Sequence, residues 1–114
     1  MIQIEGFDPK MIANNLTPFI ATHPGEVLKD EVDERGLSQK ELAERIGMSY
    51  KAMNDILNER RPVTTETAML FEAALGIPAN VLLNLQTDYN IHMAKQNKSF
   101  LDRLSSIKRV AAVL

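Results

Sequence analysis

The chain has 114 residues, no cysteine and a formal net charge of −2 at pH 7, so it suits one compact domain plus tails and excludes a second catalytic domain, disulfides and thiolate metal sites. Glycine and proline occur only five times each, aromatic residues make up 5% of the chain, and apolar residues recur at helical spacing, which predicts an all-α fold. The slight acidity argues against a nucleic-acid partner, because nucleic-acid phosphates favour lysine and arginine.

Residues 1–22 are predicted to be an N-terminal extension. Glu5 and Asp8 interrupt what would have to be a basic and then apolar leader. Pro9 indicates a turn and a helical apolar pattern surrounds Pro18, so no single element is predicted here. No apolar run in the sequence approaches the length that crosses a bilayer. We therefore expect a cytoplasmic, soluble protein without membrane contact.

The first clear helix is predicted to begin at Pro24 and to end at Gly36. Proline suits the first helical position because its missing N–H is not needed there, and Glu26 complements the positive end of the helix dipole. Leu28 and Val32 then provide an apolar stripe.

Two short helices follow with almost no loop between them. Ser38 and Glu41 form a capping box that starts the second helix. Gly47 ends it, because glycine tolerates the left-handed conformation that a tight turn needs. Ser49 can cap the third helix directly afterwards. The two helices must cross steeply, which is the geometry of a helix-turn-helix.

The third helix separates an apolar face from a polar one. The face predicted to be buried consists of Ala52, Met53, Ile56 and Leu57. The face left outside consists of Tyr50, Lys51, Asn54, Asp55 and Asn58. Such a polar face is free to enter a DNA groove.

Two further helices complete the predicted bundle. A connector containing Pro62 leads to a fourth helix that Thr64 caps and Gly76 closes. Its inward residues are predicted to be Ala68, Phe71, Ala74 and Leu75. A fifth helix begins near Pro78, and its inward residues are predicted to be Val81, Leu82, Leu85 and Tyr89.

A last amphipathic stripe has near-heptad steps and no obvious partner in a small bundle. It consists of Phe100, Leu104, Ile107, Ala111 and Leu114. Burial within its own monomer and contact with a second subunit or another partner are left as alternatives.

Charge is segregated along the chain. Residues 24–46 carry four basic against seven acidic side chains, residues 47–61 carry three against two, and residues 98–114 carry four against one. The local positive excess in the last two segments weakens the objection that overall acidity raises against DNA binding.

Residues 39–75 resemble the XRE-type, phage-repressor-like helix-turn-helix family. Residues 23–28 and 83–86, which frame residues 58–64, are similar to the HigA antitoxins of bacterial toxin–antitoxin modules within that family. The likeness covers roughly residues 24–89. Two positions depart from the pattern: Glu59 replaces a usual glycine, and Leu82 replaces a frequent aromatic residue.

The resemblance implies a homodimer that represses its own operon by binding a palindromic operator in double-stranded DNA. It also implies a cognate partner, a small ribosome-dependent mRNA-cleaving toxin. Gln39 matches the family position that reaches a phosphate or base. The resemblance places the groove-facing residues at Ser49, Tyr50, Lys51, Asn54 and Asp55, and the backbone-clamping connector at Asn58, Arg60 and Arg61.

The chemistry of base and phosphate recognition assigns roles that agree with this resemblance. Lys51 can donate to guanine acceptors, and Asn54 can bond adenine bidentately. Arg60 and Arg61 suit phosphate contacts that set the register. One such helix covers only a few base pairs, so useful affinity requires a dimer. The predicted DNA-binding residues are Ser38, Gln39, Ser49, Tyr50, Lys51, Asn54, Asp55, Asn58, Arg60 and Arg61.

No enzyme, metal site or cofactor is expected. The acidic run at residues 30–34 is typical of a solvated helix face. His23 and His92 lie far apart in sequence, which does not favour zinc binding or catalysis. His23 is better interpreted as a residue at a helix start.

We therefore predict an all-α, five-helix phage-repressor-like helix-turn-helix domain with an additional C-terminal helix. The predicted organisation is an N-terminal extension (1–22), a DNA-binding domain (23–90) and a C-terminal helical extension (91–114) for dimerisation or toxin contact. The predicted function is that of an autorepressing antitoxin. The alternatives are a stand-alone phage-type repressor without a toxin, and a protein-interaction module that keeps the scaffold but no longer binds DNA.

Overall fold

The computed structural model describes residues 21–113, whose regular secondary structure is entirely helical. The helices are α1 (Pro24–Glu34), α2 (Gln39–Ile46), α3 (Tyr50–Leu57), α4 (Thr65–Leu75), α5 (Ala79–Ala94) and α6 (Lys98–Ala111). The predicted all-α fold, five helices followed by a C-terminal helix, is confirmed. The patterns predicted within residues 1–20, and Leu114 of the C-terminal stripe, lie outside the described residues.

Hydroxyl caps begin α2, α3 and α4, and glycines end α2 and α4, as predicted. The hydroxyl groups of Ser38, Ser49 and Thr64 each accept a hydrogen bond from the backbone N–H three residues later, at 3.2, 3.0 and 3.3 Å. Gly47 and Gly76 end α2 and α4 with φ of 76° and 78°. Because the turn between α2 and α3 needs only three residues, the two helices pack as a helix-turn-helix.

His23 starts α1 and joins it to α5. Its Nδ1 accepts a hydrogen bond from the backbone N–H of Gly25 at 2.9 Å, and its ring meets that of Tyr89 edge-on, with 4.8 Å between the centroids. Only 3% of His23 is exposed. This burial lowers the pKa of His23, and the negative charge of Glu59 partly opposes the shift. The interpretation of His23 as a residue at a helix start is confirmed.

Gly25 allows α1 to approach the C-terminal end of α3. A Cβ atom at this position would overlap the backbone carbonyl oxygen of Ile56. No local sequence pattern predicts this role of Gly25, because its close neighbour is 31 residues away in the chain.

The core lies among α1 to α5. Its largest fully buried hydrophobic side chains are Phe71, Leu28, Met53, Ile56, Leu57, Leu82 and Val32. The prediction that Ala74 and Val81 face inward is wrong, because both residues are exposed. Val81 lies about 100° around the helix from Leu82, which points directly into the core. Gln86 and Val63 are buried positions that the sequence patterns did not predict.

Helix α6 stands apart from this core. None of residues Lys98–Ala111 is buried, and Leu104 and Ile107 on its apolar stripe are 44% and 59% exposed. The described chain therefore does not bury this stripe within the monomer, and contact with a second subunit or another partner is the alternative that is left. Helix α5 continues to Ala94, so the boundary predicted between residues 90 and 91 falls inside a helix. Among the described helices, none is long and apolar enough to cross a membrane.

Candidate nucleic-acid interface

Helix α3 presents its polar side to solvent because its other side is anchored in the core. Met53, Ile56 and Leu57 are at most 1% exposed, whereas the side chain of Lys51 on the opposite side is 80% exposed. The predicted division of this helix is confirmed, except that Ala52 is only half-buried.

The predicted DNA-binding residues all retain access to solvent. Seven of them are exposed: Ser38, Ser49, Tyr50, Lys51, Asn58, Arg60 and Arg61. Three of them are half-buried: Gln39, Asn54 and Asp55. The hydroxyl groups of Ser38 and Ser49 are also the caps of α2 and α3.

Asp55 gathers three cations around one carboxylate. Its Oδ2 lies 3.2 Å from the Nζ of Lys51 and 3.4 Å from the Nη2 of Arg61. Its Oδ1 accepts from the Nε and Nη2 of Arg60 at 3.3 and 3.2 Å. The hydrogen bond from Lys51, followed by the charges of Lys51 and Arg60, holds the pKa of Asp55 below its usual value. The carboxylate is therefore ionised at neutral pH and the cluster carries a net positive charge.

Asn54 is held at both ends of its side-chain amide. Its Nδ2 donates to Oε1 of Gln39 on α2 at 3.2 Å, and its Oδ1 accepts from Nη2 of Arg60 at 2.9 Å. An adenine edge would need both amide atoms. Because the amide nitrogen carries two N–H groups and the oxygen two lone pairs, each end of the Asn54 amide keeps one hydrogen-bonding site for an adenine while Gln39 and Arg60 hold the side chain in place.

The end of α3 places Arg60 beside these side chains. The backbone N–H of Arg60 donates to the carbonyl of Asp55 at 2.7 Å, and that of Glu59 donates to the carbonyl of Ile56 at 3.0 Å. Together these bonds form a Schellman motif, in which the residue after the helix adopts a left-handed conformation. That residue is Glu59, with φ of 64°. Its conformation explains why a glycine is common at this position in the family that the sequence resembles.

Gln86 on α5 holds the connector between α3 and α4 in place by hydrogen bonding. Its Oε1 accepts from the backbone N–H of Val63 at 2.8 Å, and its Nε2 donates to Oδ1 of Asn90 at 3.0 Å. Hydrophobic periodicity could not identify this residue, because a glutamine occupies an inward position of α5. The family-like run at residues 83–86 contained it but indicated no role.

The described residues contain no group of three or more histidine, cysteine, aspartate or glutamate side chains that could hold a metal ion. The outer surface of α3 and the turn after it offers hydrogen-bond donors, acceptors and fixed charges. An exposed polar helix face with a cationic rim can contact base edges and phosphates.

Comparison with known proteins gives concordant matches. A helix-turn-helix family model matches residues 28–82. Virulence-associated protein I of Dichelobacter nodosus is 37% identical over 83 residues, which is 72% of this chain and 77% of the relative.

Solved structures of similar proteins also match this chain. An addiction module antidote protein of a HigA family from Coxiella burnetii is 30% identical with a TM-score of 0.65, covering 75% of this chain and 95% of that one. PA4674 from Pseudomonas aeruginosa, solved in complex with its 18-bp operator DNA, is 31% identical with a TM-score of 0.63, covering 68% and 84%. On the strength of the fold, the tight α2–α3 turn and these matches, the chain belongs to the XRE-type helix-turn-helix family, in which the solved structures similar to it include HigA and other antitoxins.

Proposed function

We propose that this protein is a sequence-specific DNA-binding antitoxin that represses its own operon and neutralises a small ribosome-dependent mRNA-cleaving toxin. The observation that carries the DNA-binding part is the outer face of α3, where Lys51, Arg60 and Arg61 surround a polar surface on a helix anchored in the core. The similar structure solved with its operator DNA supports the same conclusion. Toxin neutralisation is supported by the likeness to antitoxins.

The proposed contacts divide into two groups. Base contacts come from Tyr50, Lys51, Asn54 and Asp55, because α3 presents these side chains outward and groove edges offer matching donors and acceptors. Contacts that position the duplex come from Ser38, Gln39, Ser49, Asn58, Arg60 and Arg61, which lie at the ends of α2 and α3. Arg60 and Arg61 contribute the charge that attracts phosphates.

A second subunit is required by the size of α3. A helix of eight residues is about 12 Å long, so it reads only a few base pairs. Two copies placed about 34–36 Å apart can occupy successive turns of a palindromic operator. Helix α6 supplies the dimer surface in this proposal, because its apolar stripe is exposed in the monomer. Toxin contact is the other proposed use of residues 91–114.

The dimer proposal is tested by Ile107→Asp, with Ser105→Asp on the same helix as the matched control. Both residues are exposed, so neither change disturbs the core. We expect Ile107→Asp to halve the molecular mass measured by light scattering and Ser105→Asp to leave it unchanged. A wild-type protein that is monomeric at micromolar concentration would contradict the dimer.

DNA binding is tested by a mobility shift on the promoter upstream of the gene, against a random duplex of equal length at low salt. We expect a shift of the promoter at concentrations that leave the random duplex free. If no specific shift occurs at low salt, where phosphate attraction is strongest, the protein-interaction module becomes the better explanation.

The toxin part has its own test. A neighbouring gene for a short basic protein, whose expression stops growth and whose effect co-expression of this chain abolishes, would support the antitoxin. A promoter shift without any such gene would favour the stand-alone phage-type repressor.

A further inference from the structure

Resting on the proposed function, we infer that Asp55 is a specificity-determining residue: its carboxylate holds Lys51, Arg60 and Arg61 away from phosphates until a duplex offers it a replacement donor. Asp55 thereby weakens binding to random DNA more than it weakens binding to the operator.

The position of the carboxylate relative to its cations supports this role. The side chain of Asp55 is 14% exposed, whereas those of Lys51, Arg60 and Arg61 are 80%, 59% and 46% exposed. The negative charge therefore lies beneath a rim of positive charge. A phosphate that approaches α3 meets the cations first and competes with Asp55 for them.

The competition is unequal on random and specific DNA. If all three cations moved to phosphates, Asp55 would face the duplex as an unpaired anion, and its repulsion from nearby phosphates would be least screened at low salt. Binding by phosphate contacts alone therefore leaves at least one cation at Asp55. In a fitting groove, the N4 amino group of a cytosine can donate to Asp55. Only a sequence that offers Asp55 such a donor frees all the cations without leaving the carboxylate unpaired.

Arg60 links this competition to base recognition by Asn54. The Nη2 of Arg60 donates both to Oδ1 of Asn54, at 2.9 Å, and to Oδ1 of Asp55, at 3.2 Å. Arg60 therefore helps to orient the amide that would bond an adenine. If Arg60 moves to a phosphate, Asn54 loses one of the two bonds that hold its side chain, so the position of Arg60 affects both the phosphate contact and the base contact.

The experiment measures the dissociation constants of wild type and Asp55→Asn for the promoter and for a random duplex, over a series of salt concentrations. Asp30→Asn is the control, because Asp30 is an exposed residue on α1 and its substitution makes the same change in net charge. Thermal unfolding of each variant confirms that it is folded. Asp55→Ser provides a second neutral variant with a smaller side chain.

We expect Asp55→Asn to bind random DNA about 3–10-fold more tightly, with a salt slope steeper by about 0.9 for each cation that gains a phosphate. Affinity for the promoter should rise less or fall, so the preference for promoter over random DNA should decrease. Asp30→Asn should change both affinities by one common, smaller factor.

Two results would overturn the inference in distinguishable ways. A wild-type protein without preference for its promoter would remove the proposed DNA-binding function and this inference together. A wild-type preference that Asp55→Asn and Asp55→Ser leave unchanged, or that Asp30→Asn reduces equally, would remove the role of Asp55 alone.

Discussion

Replacing Glu59 with glycine should stabilise this protein, because Glu59 holds a left-handed conformation with φ of 64° at the end of α3. That conformation costs a residue with a side chain roughly 1–2 kcal/mol. Glycine loses roughly 0.5–1 kcal/mol more backbone entropy on folding than alanine. The net gain in the free energy of unfolding is therefore about 0.5–1 kcal/mol, which raises Tm by about 2–8 °C in a domain of this size.

Glu59→Ala is the matched control, because it removes the same charge and keeps the Cβ atom. Both variants also remove the negative charge that raises the pKa of His23, so this effect is common to the pair. Thermal and urea unfolding followed by circular dichroism should place only Glu59→Gly above wild type. If Glu59→Ala gained as much stability as Glu59→Gly, the lost charge would be responsible and not the left-handed backbone at Glu59.

Three further predictions concern the α1–α3 contact, the buried histidine and the DNA surface. Gly25→Ala should destabilise the protein by about 1–3 kcal/mol in urea unfolding, because the added Cβ meets the carbonyl of Ile56; an unchanged midpoint would contradict that packing. Burial lowers the pKa of His23, so the free energy of unfolding should have its full value above about pH 6.5. It should decrease as the pH falls below this value, because the unfolded chain then binds a proton more readily than the folded chain does. A His23→Asn variant, in which an amide oxygen replaces Nδ1 as the cap acceptor, should show a flatter profile between pH 7 and 5, and an equal slope would exclude His23 as the cause. Asn54→Ala should relax specificity at one base step by about 1–3 kcal/mol, whereas Arg61→Ala should weaken binding to all sequences equally; equal losses on promoter and random DNA for both would contradict these roles.

Periodicity predicted the buried face of α3 and was less accurate on α4 and α5. On α3 the strongly apolar Met53, Ile56 and Leu57 leave only one direction for the core. On α5 the apolar residues surround more of the helix, and the position of the neighbouring helices decides that Val81 is exposed while Gln86 is buried. Sequence periodicity alone therefore cannot predict which of these two positions is buried.

The sequence by itself determined where α2 and α4 begin and end, where α3 begins, and which residues form the polar surface. Those features depend on caps, glycines and side-chain spacing within a few residues, as Ser38, Gly47 and Ser49 illustrate. Only the tertiary structure decided how the surface is connected internally. The bond between Gln39 and Asn54 joins positions 15 residues apart, and the approach of Arg60 and Arg61 to Asp55 depends on the backbone turn at Glu59. Contacts of this kind depend on how separate helices and turns meet in space, which no local pattern specifies.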